Sequence, residues 1–192
     1  GNTLLPQNDI ERAVYAYLGE HKTGDDIELA RASLEKAYHD AGFVTVVVNT
    51  PRQRLTEGVA KLEVVESRIG KVAIAGSRYY SLDDIRAAVP SFRAGECLNI
   101  HLAREEISAL NRLSPHRSIT PILKPGKRPG TVDIELRVKD EFPAKTSIEI
   151  NDRYTENTSK SRLWLNTGFD NLWQAHHSLS LQYQTSPEDT DE

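Results

Sequence analysis

The chain has one cysteine, Cys97, among 192 residues, so it cannot form an internal disulfide. A lone thiol with no accompanying histidine pattern reads as a small, half-buried core residue, not a reactive one. No apolar run approaches the roughly 18 residues that a membrane-crossing helix needs. No single sign of charge dominates, since 24 Lys and Arg stand against 28 Asp and Glu. With no interleaving of basic and aromatic residues, this balance argues against a nucleic-acid partner. No signal-peptide pattern opens the chain. Its abrupt start at Gly1-Asn2-Thr3 and its acidic close are those expected of a piece of a longer protein.

Catalytic constellations are also lacking. His176 and His177 are neighbours on an expected strand, so they point to opposite faces and do not jointly hold a metal. Gly126-Lys127-Arg128-Pro129-Gly130 is not a phosphate loop. No Ser or Thr follows the Gly-Lys pair, and proline removes amides that would cradle phosphate. Asp25-Asp26 and Asp83-Asp84 sit where helix-start charges belong. Cys97 and His101 are close in sequence, but nothing in the spacing makes them a catalytic pair. No enzymatic activity, cofactor or metal is expected.

What is present centres on a hairpin. Ile119–Leu123 is one short apolar arm. On the other, Val132, Ile134, Leu136 and Val138 alternate with Asp133, Glu135 and Arg137, the period-2 pattern of a strand with one buried face. Between them stand Pro125-Gly126 and Pro129-Gly130, two stiff bends, since proline fixes φ and glycine permits positive φ.

The remaining elements are arranged around this hairpin. Asp9–Leu18 reads as a short helix. Thr23 and Asp26 form a helix-start box for a helix to Asp40, with Ile27, Ala30, Leu34, Ala37 and Tyr38 as its apolar stripe and Gly42 as its stop. Strands follow over Phe43–Val48 and Val59–Glu66. The order then starts again: a strand over Lys71–Ala75, a helix start at Ser81–Asp84, a helix closed by Pro90, and a second helix over Leu102–Leu113. That helix carries Leu102, Ile107, Leu110 and Leu113 as apolar positions. The hairpin completes the set. The repeat is visible residue by residue, with Gly1, Asp9, Ile10, Ala13 and Val14 matching Gly76, Asp84, Ile85, Ala88 and Val89. The expected class is therefore α+β: two modules of a β-α-α-β-β plan, each a three-stranded mixed sheet with two helices, the first without its initial strand. The expected divisions are 1–69, 70–141 and 142–192.

The third section differs. Lys145–Tyr154, Ser161–Asp170 and His176–Thr185 each alternate. Ile148 and Ile150, then Leu163, Leu165 and Phe169, then Leu179, Leu181 and Tyr183 fall on one face. Polar residues fall on the other. Either an ordinary antiparallel sheet with one wet face or the first three strands of a membrane barrel fits this pattern. Tyr154, Trp164, Trp173 and Tyr183 are candidate interface anchors.

Charge divides unevenly. Residues 70–143 carry 12 basic and 9 acidic side chains, while the segments on either side are net acidic. Lys124, Lys127 and Arg128 lie on the hairpin loop, which reads either as a solvated loop or as a contact for an acidic partner or lipid headgroups. The sheets offer edges. An extended polypeptide can add to such an edge through backbone hydrogen bonds. The candidate edge residues are Phe43, Val44, Val46 and Val48, then Arg117, Ile119, Ile122 and Leu123, with Pro125, Gly126, Pro129 and Gly130 as the structural hairpin.

In these features the chain resembles POTRA (polypeptide-transport-associated) domains. Its tail resembles the start of an outer-membrane transporter of the two-partner secretion type, the hemolysin secretion/activation (ShlB-type) family of the Omp85 superfamily. The matching residues are Gly1-Asn2-Thr3, Tyr38, Gly42-Phe43, Pro51, Gln53, Gly58, Gly76, Leu110-Asn111, the run Leu123–Thr131 and Asp133. In the tail they are Asn151, Arg162, Asp170-Asn171-Leu172 and Ser186-Pro187. The double Pro-Gly hairpin is the most specific of these. Ser67 and Thr158-Ser159 depart from the family's usual glycines. The resemblance implies periplasmic modules, in a Gram-negative cell, that capture the N-terminal secretion domain of an unfolded exoprotein of hemolysin or adhesin type. They would pass it to an outer-membrane barrel in contact with lipid, without a cofactor and as a monomer. An outer-membrane protein assembly factor and a non-transport periplasmic scaffold are the alternatives.

Overall fold

The computed structural model describes residues 2–53, 58–151 and 162–186. The architecture is α+β, in three successive sheets, two of which are packed by helices.

Helix α1 (Gln7–Val14) leads through a short 3₁₀ turn (Tyr15–Tyr17) to α2 (Gly24–Asp40). The start of α2 is set by Asp26, whose carboxylate accepts the Thr23 amide at 2.8 Å and the Thr23 hydroxyl at 3.0 Å. Its end is a Schellman closure: the Phe43 N–H donates to the Tyr38 carbonyl and the Gly42 N–H to His39, both at 2.9 Å. Gly42 has φ +97°, a conformation that side chains disfavour. Strands β1 (Val47–Asn49) and β2 (Glu63–Val65) pair antiparallel beside α2. Leu34, Tyr38, Val46 and Val48 are the buried centre, with Leu5, Ile10, Val14 and Phe43 packed around them. The expected strand from Phe43 begins four residues late. Phe43 is consumed by the helix closure, and the Val46 N–H turns back to the Phe43 carbonyl at 3.1 Å. The expected strand over Val59–Glu66 contracts to β2.

The second unit repeats the plan with its first strand present: β3 (Arg68–Ala75), α3 (Leu82–Ala88), α4 (Ile100–Arg112), β4 (Arg117–Pro125) and β5 (Thr131–Asp140). The sheet order is β3-β5-β4, with β5 parallel to β3 and antiparallel to β4. β3 starts three residues before Lys71 because Arg68 and Ile69 already pair with Thr131 and Val132. The hairpin forms in the expected register, from Arg117 opposite Asp140 to Pro125 opposite Val132. At its mouth the Gly126 N–H donates to the Thr131 carbonyl, and a Cβ on Gly126 would lie 2.2 Å from the Thr131 hydroxyl. Ile69, Ile85, Leu98, Ile107, Ile119, Ile134 and Leu136 build the larger of the two cores. Truncating one of these large aliphatics to alanine removes about 2–5 kcal/mol. The buried face of α4 is Ala103, Ile107 and Leu110, whereas Leu102 and Leu113, expected inside, are more than half exposed. A spacing of four and three residues keeps the first set on one stripe, which rotates Leu102 and Leu113 off it.

The last unit is a meander of β6 (Ala144–Asn151), β7 (Arg162–Leu172) and β8 (His177–Thr185), with no helix among its described residues.

Two junctions join the units. At the first, α2 ends against the start of α4. The Ile100 N–H donates to the Gly42 carbonyl at 2.9 Å and Asn99 Nδ2 to the Ala41 carbonyl at 3.1 Å. A Cβ on Gly42 would sit 2.5 Å from Asn99 Oδ1, so glycine is required here by proximity as well as by φ. At the second, the β7–β8 turn grips the segment before α3. Asn171 Nδ2 and Gln174 Nε2 both donate to the Tyr79 carbonyl, at 3.2 and 3.0 Å, and Gln174 Oε1 accepts the Ser81 amide at 3.0 Å. Phe142 lies edge-on between Tyr79 and Phe169, 5.6 Å from each ring centre. Asn171, Trp173, Gln174 and His176 all have positive φ, an uncommon concentration for non-glycine residues.

Candidate functional site

The candidate edges and the bare sheet are where this chain has backbone or apolar surface to offer.

On β1 the outward groups are occupied. Val48 donates its N–H to Glu35 Oε2 at 3.0 Å and accepts at its carbonyl from an Arg31 guanidinium nitrogen at 3.2 Å. His39 Nε2 lies 3.0 Å from the Val46 carbonyl, and Thr50 donates its hydroxyl to Glu28 at 2.9 Å. Residues 28, 31, 35 and 39 share one face of α2 by helical spacing, so this helix lines the margin of β1 with side chains. Arg31 in turn is held by Glu28 and Glu35. Of the expected residues, Phe43, Val44 and Val46 lie outside the strand, and only Val48 lies within it. Phe43 packs on the core and Val46 and Val48 are buried within it, while Val44 is exposed.

On β4 the outward residues are Arg117, Ile119, Pro121, Leu123 and Pro125, because antiparallel strands direct alternate residues to the partner and away from it. Asn111 Nδ2 donates to the Ile119 carbonyl at 3.1 Å, and Asn111 Oδ1 accepts the Ile119 N–H at 2.8 Å. Pro121 and Pro125 have no N–H, as suits an edge. Leu123 therefore carries the free outward N–H of the distal half. Arg117 is buried. It donates to the Leu110 carbonyl at 2.7 Å and stacks 4.7 Å over the Tyr80 ring. Burial lowers its pKa, opposed by the negative charge of Asp140 and Asp84 and by Tyr80. Its place is the C-terminal end of α4, where a cation is favourable, so it is a structural arginine and not a contact for a peptide. Ile119 is equally buried. Ile122 points its backbone groups into the hairpin, opposite Glu135. Lys124 is paired with Glu135, which leaves Lys127 and Arg128 as the loop's cations without an ion pair among the described residues.

The bare sheet follows the expected alternation. Ile148 pairs with Leu165 and Ile150 with Leu163; Phe169 pairs with Leu179 and Leu165 with Tyr183. All eight predicted apolar residues share one face. Ile150 is 73% exposed and Leu181 62%. The opposite face carries Lys145, Ser147, Glu149, Asn166, Ser180, Gln182 and Gln184. Trp164 lies on this polar face, between Glu149 and Gln184, and so is not an anchor on the apolar one. Trp173 is 83% exposed at the tip of the β7–β8 turn. Tyr154 falls outside the described residues, as does Thr158-Ser159.

Cys97 is partly buried, and burial raises its pKa against the nearby Arg68 charge, the opposite of an activated thiol. Among the described residues no cluster of His, Cys, Asp and Glu could hold a metal, and no helix is long and apolar enough to cross a membrane. The side-chain occupancy of both edges was not legible in either strand's own residues. Its one available signal was the i, i+4 run of polar residues on α2 beside an apolar strand.

Comparison with known proteins agrees with this geometry. Residues 1–67 match the model of the POTRA domain, ShlB-type. The outer membrane transporter CdiB of Dickeya dadantii (strain 3937) is 26% identical over 172 residues, which is 90% of this chain and 30% of that protein. The chain thus spans less than a third of that relative's length. Among solved structures, CdiB from Escherichia coli has a TM-score of 0.73 at 19% identity, over 100% of this chain and 35% of that one. The N-terminal domain of Omp85 from Thermosynechococcus elongatus has a TM-score of 0.60 at 19% identity, over 73% of this chain and 63% of that one.

Proposed function

We propose, from the premise that residues 1–67 are a POTRA domain of the ShlB type, that the chain is the entry portion of an outer-membrane transporter of the two-partner secretion type, in the Omp85 superfamily. Its division is into a first POTRA domain up to Ser67, a second from Arg68 to about residue 141, and the first strands of a barrel from there. The first boundary is drawn before Arg68 because Ile69 belongs to the second core. The two POTRA domains stand in the periplasm and the strands enter the outer membrane.

A single observation carries this reading. Two helix-covered sheets run directly into a third with no helical cover, whose apolar face is exposed at Ile148, Ile150, Leu179, Leu181 and Tyr183. In water such a face is unfavourable by roughly 25 cal/mol per Å² of apolar area. In lipid it is the required outer wall of a barrel, and the Lys145–Gln184 face becomes the lumen. The short β7–β8 turn, held to the second POTRA domain, lies at the periplasmic rim.

The work of the POTRA domains is to receive an unfolded secreted polypeptide and present it to the barrel. No reaction is needed, because an extended chain finds affinity in backbone hydrogen bonds to a sheet edge. On the expected edge of β4 only the groups around Leu123 remain open beyond Ile119, beside the cationic Lys127 and Arg128.

The test uses the full-length protein in lipid bilayers. An environment-sensitive fluorophore at Leu181 is expected to be quenched by lipid-borne quenchers and one at Gln182 to be spared. Equal quenching at both positions, or none at either, would overturn the membrane assignment. A substitution that blocks assembly at Leu181 (to arginine) but not at Gln182 would support it independently, since a cation on the lipid face costs about 2–4 kcal/mol near the midplane.

A further inference from the structure

We infer that the receiving edge for an extended polypeptide in the second POTRA domain is β3, at Val72 and Ile74, and not β4 or β1. This rests on the reading above, that these domains take an unfolded chain. It goes beyond it by assigning the strand, the groups and the groove.

The outward groups of Val48 are held by Glu35 and Arg31, and those of Ile119 by Asn111. Beyond Ile119, β4 is interrupted by Pro121 and Pro125, which leaves its distal half one outward donor, at Leu123.

β3 already accepts a short strand. The Ile69 N–H donates to the Glu96 carbonyl at 2.8 Å, the Gly95 N–H donates to the Ile69 carbonyl at 2.7 Å, and Arg68 bridges antiparallel to Cys97. The outer margin of β3 is therefore competent for antiparallel pairing, and the chain itself uses only the first rung. A register shift between Ile69 and Val72 inserts an extra residue. Beyond it Val72 and Ile74 turn their side chains to the core, as Ile69 does, so by strand alternation their N–H and C=O groups point outward. The partner strand agrees. β5 directs its odd-numbered residues to β4 and Ile134 and Leu136 to β3, and in a parallel pair the residues flanking Val72 then receive those bonds. No hydrogen bond from any described residue reaches the four outward groups of Val72 and Ile74.

Where the Gly95–Cys97 segment leaves β3, a groove of about 530 Å³ opens, lined by Val72, Asp83, Arg86, Ala87, Phe92, Arg93 and Ala94. Its apolar floor takes the inward side chain of an added strand. Asp83 is held by Arg86 at 2.9 Å, so Arg93 is the groove's cation without an ion pair among the described residues. The occupant is an extended segment of secreted polypeptide, apolar at the inward position and acidic at its flanks. It runs on from the native Gly95–Cys97 rung.

The experiment places a photoreactive p-benzoylphenylalanine at Ala94 or, as a control, at Thr120 in the full-length protein. The probe is reduced, carboxymethylated α-lactalbumin, a permanently unfolded acidic polypeptide. Cross-linking is expected at Ala94 and not at Thr120. Val72→Pro removes one outward donor at a position where an edge tolerates proline, and should lower the Ala94 yield by about five-fold. Leu123→Pro, the same change on β4, should leave it unaltered. If Val72→Pro misfolds, Ala94→Trp fills the groove from an exposed site and is expected to abolish probe protection of Arg93 from chemical modification. Absence of cross-linking at Ala94, sensitivity to Leu123→Pro in its place, or cross-links only between two copies of the protein would each overturn the assignment. If the lipid quenching pattern at Leu181 and Gln182 persists in that event, the transporter reading survives and only the edge is wrong.

Discussion

Asn111 acts on Ile119 as a neighbouring strand would. Its amide donates to the Ile119 carbonyl at 3.1 Å and accepts the Ile119 N–H at 2.8 Å. One side chain from α4 thereby closes one rung of an edge and ties the helix to the sheet. Replacing it with alanine leaves two part-buried backbone groups unmatched, at an expected cost of about 1–3 kcal/mol. Asn111→Asp keeps the acceptor for the Ile119 N–H and loses the donor, so it should fall between the parent and alanine. Urea unfolding followed by circular dichroism ranks the three. An alanine variant with the parent's midpoint would show that water serves Ile119 equally well.

The β7–β8 turn is expected to fix the second helix-covered unit to the last sheet. Asn171 and Gln174 converge on the Tyr79 carbonyl, and Gln174 also receives the Ser81 N–H. His116 Nε2 lies 3.1 Å from Asp170 at the same junction. Spin labels at Glu105 on α4 and Ser180 on β8 should give a narrow distance distribution in the parent protein. Asn171→Ala combined with Gln174→Ala should broaden it, because the polar grip is lost while the Tyr79–Phe142–Phe169 contact remains. A distribution that stays narrow would assign the junction to the rings and the His116–Asp170 contact.

Acid should loosen the N-terminal segment. Glu66 accepts the amides of Thr3 and Leu4 at 2.6 and 3.1 Å and the Thr3 hydroxyl at 2.6 Å. Burial raises its pKa, but these hydrogen bonds outweigh that and hold it below the ordinary value of 4.5. A carboxylate depressed in the folded state contributes stability that is fully present above the unfolded value. That stability is lost as pH falls through the folded one. The stability gap between the parent and Glu66→Gln should therefore be wide at pH 7 and close below about pH 4.5. A gap independent of pH would mean that the carboxylate's charge contributes nothing.

Much of this was legible in the order of residues. The Thr23–Asp26 box and Gly42 bound α2 at both ends, since capping depends on residues three or four apart. The alternation at Val132–Val138 and at Leu179–Tyr183 set which face is apolar, because a strand has period 2 whatever it packs against. Other features were not legible. Leu102 and Leu113 look like core residues by type, but α4 is rotated so that Ala103 is inside. Helix rotation is chosen by the sheet it packs on, not by the helix.

The sequence alone determined the twin α+β plan, the hairpin with its two Pro-Gly bends and the amphipathic tail strands, all of which follow from interactions within a few residues. Only the tertiary structure decided which edges are open. Asn111 reaches Ile119 across eight positions, Glu35 reaches Val48 across 13, and Gln174 reaches Tyr79 across 95. Whether a strand's backbone groups are free depends on side chains delivered by distant segments, and no local pattern records where those will arrive.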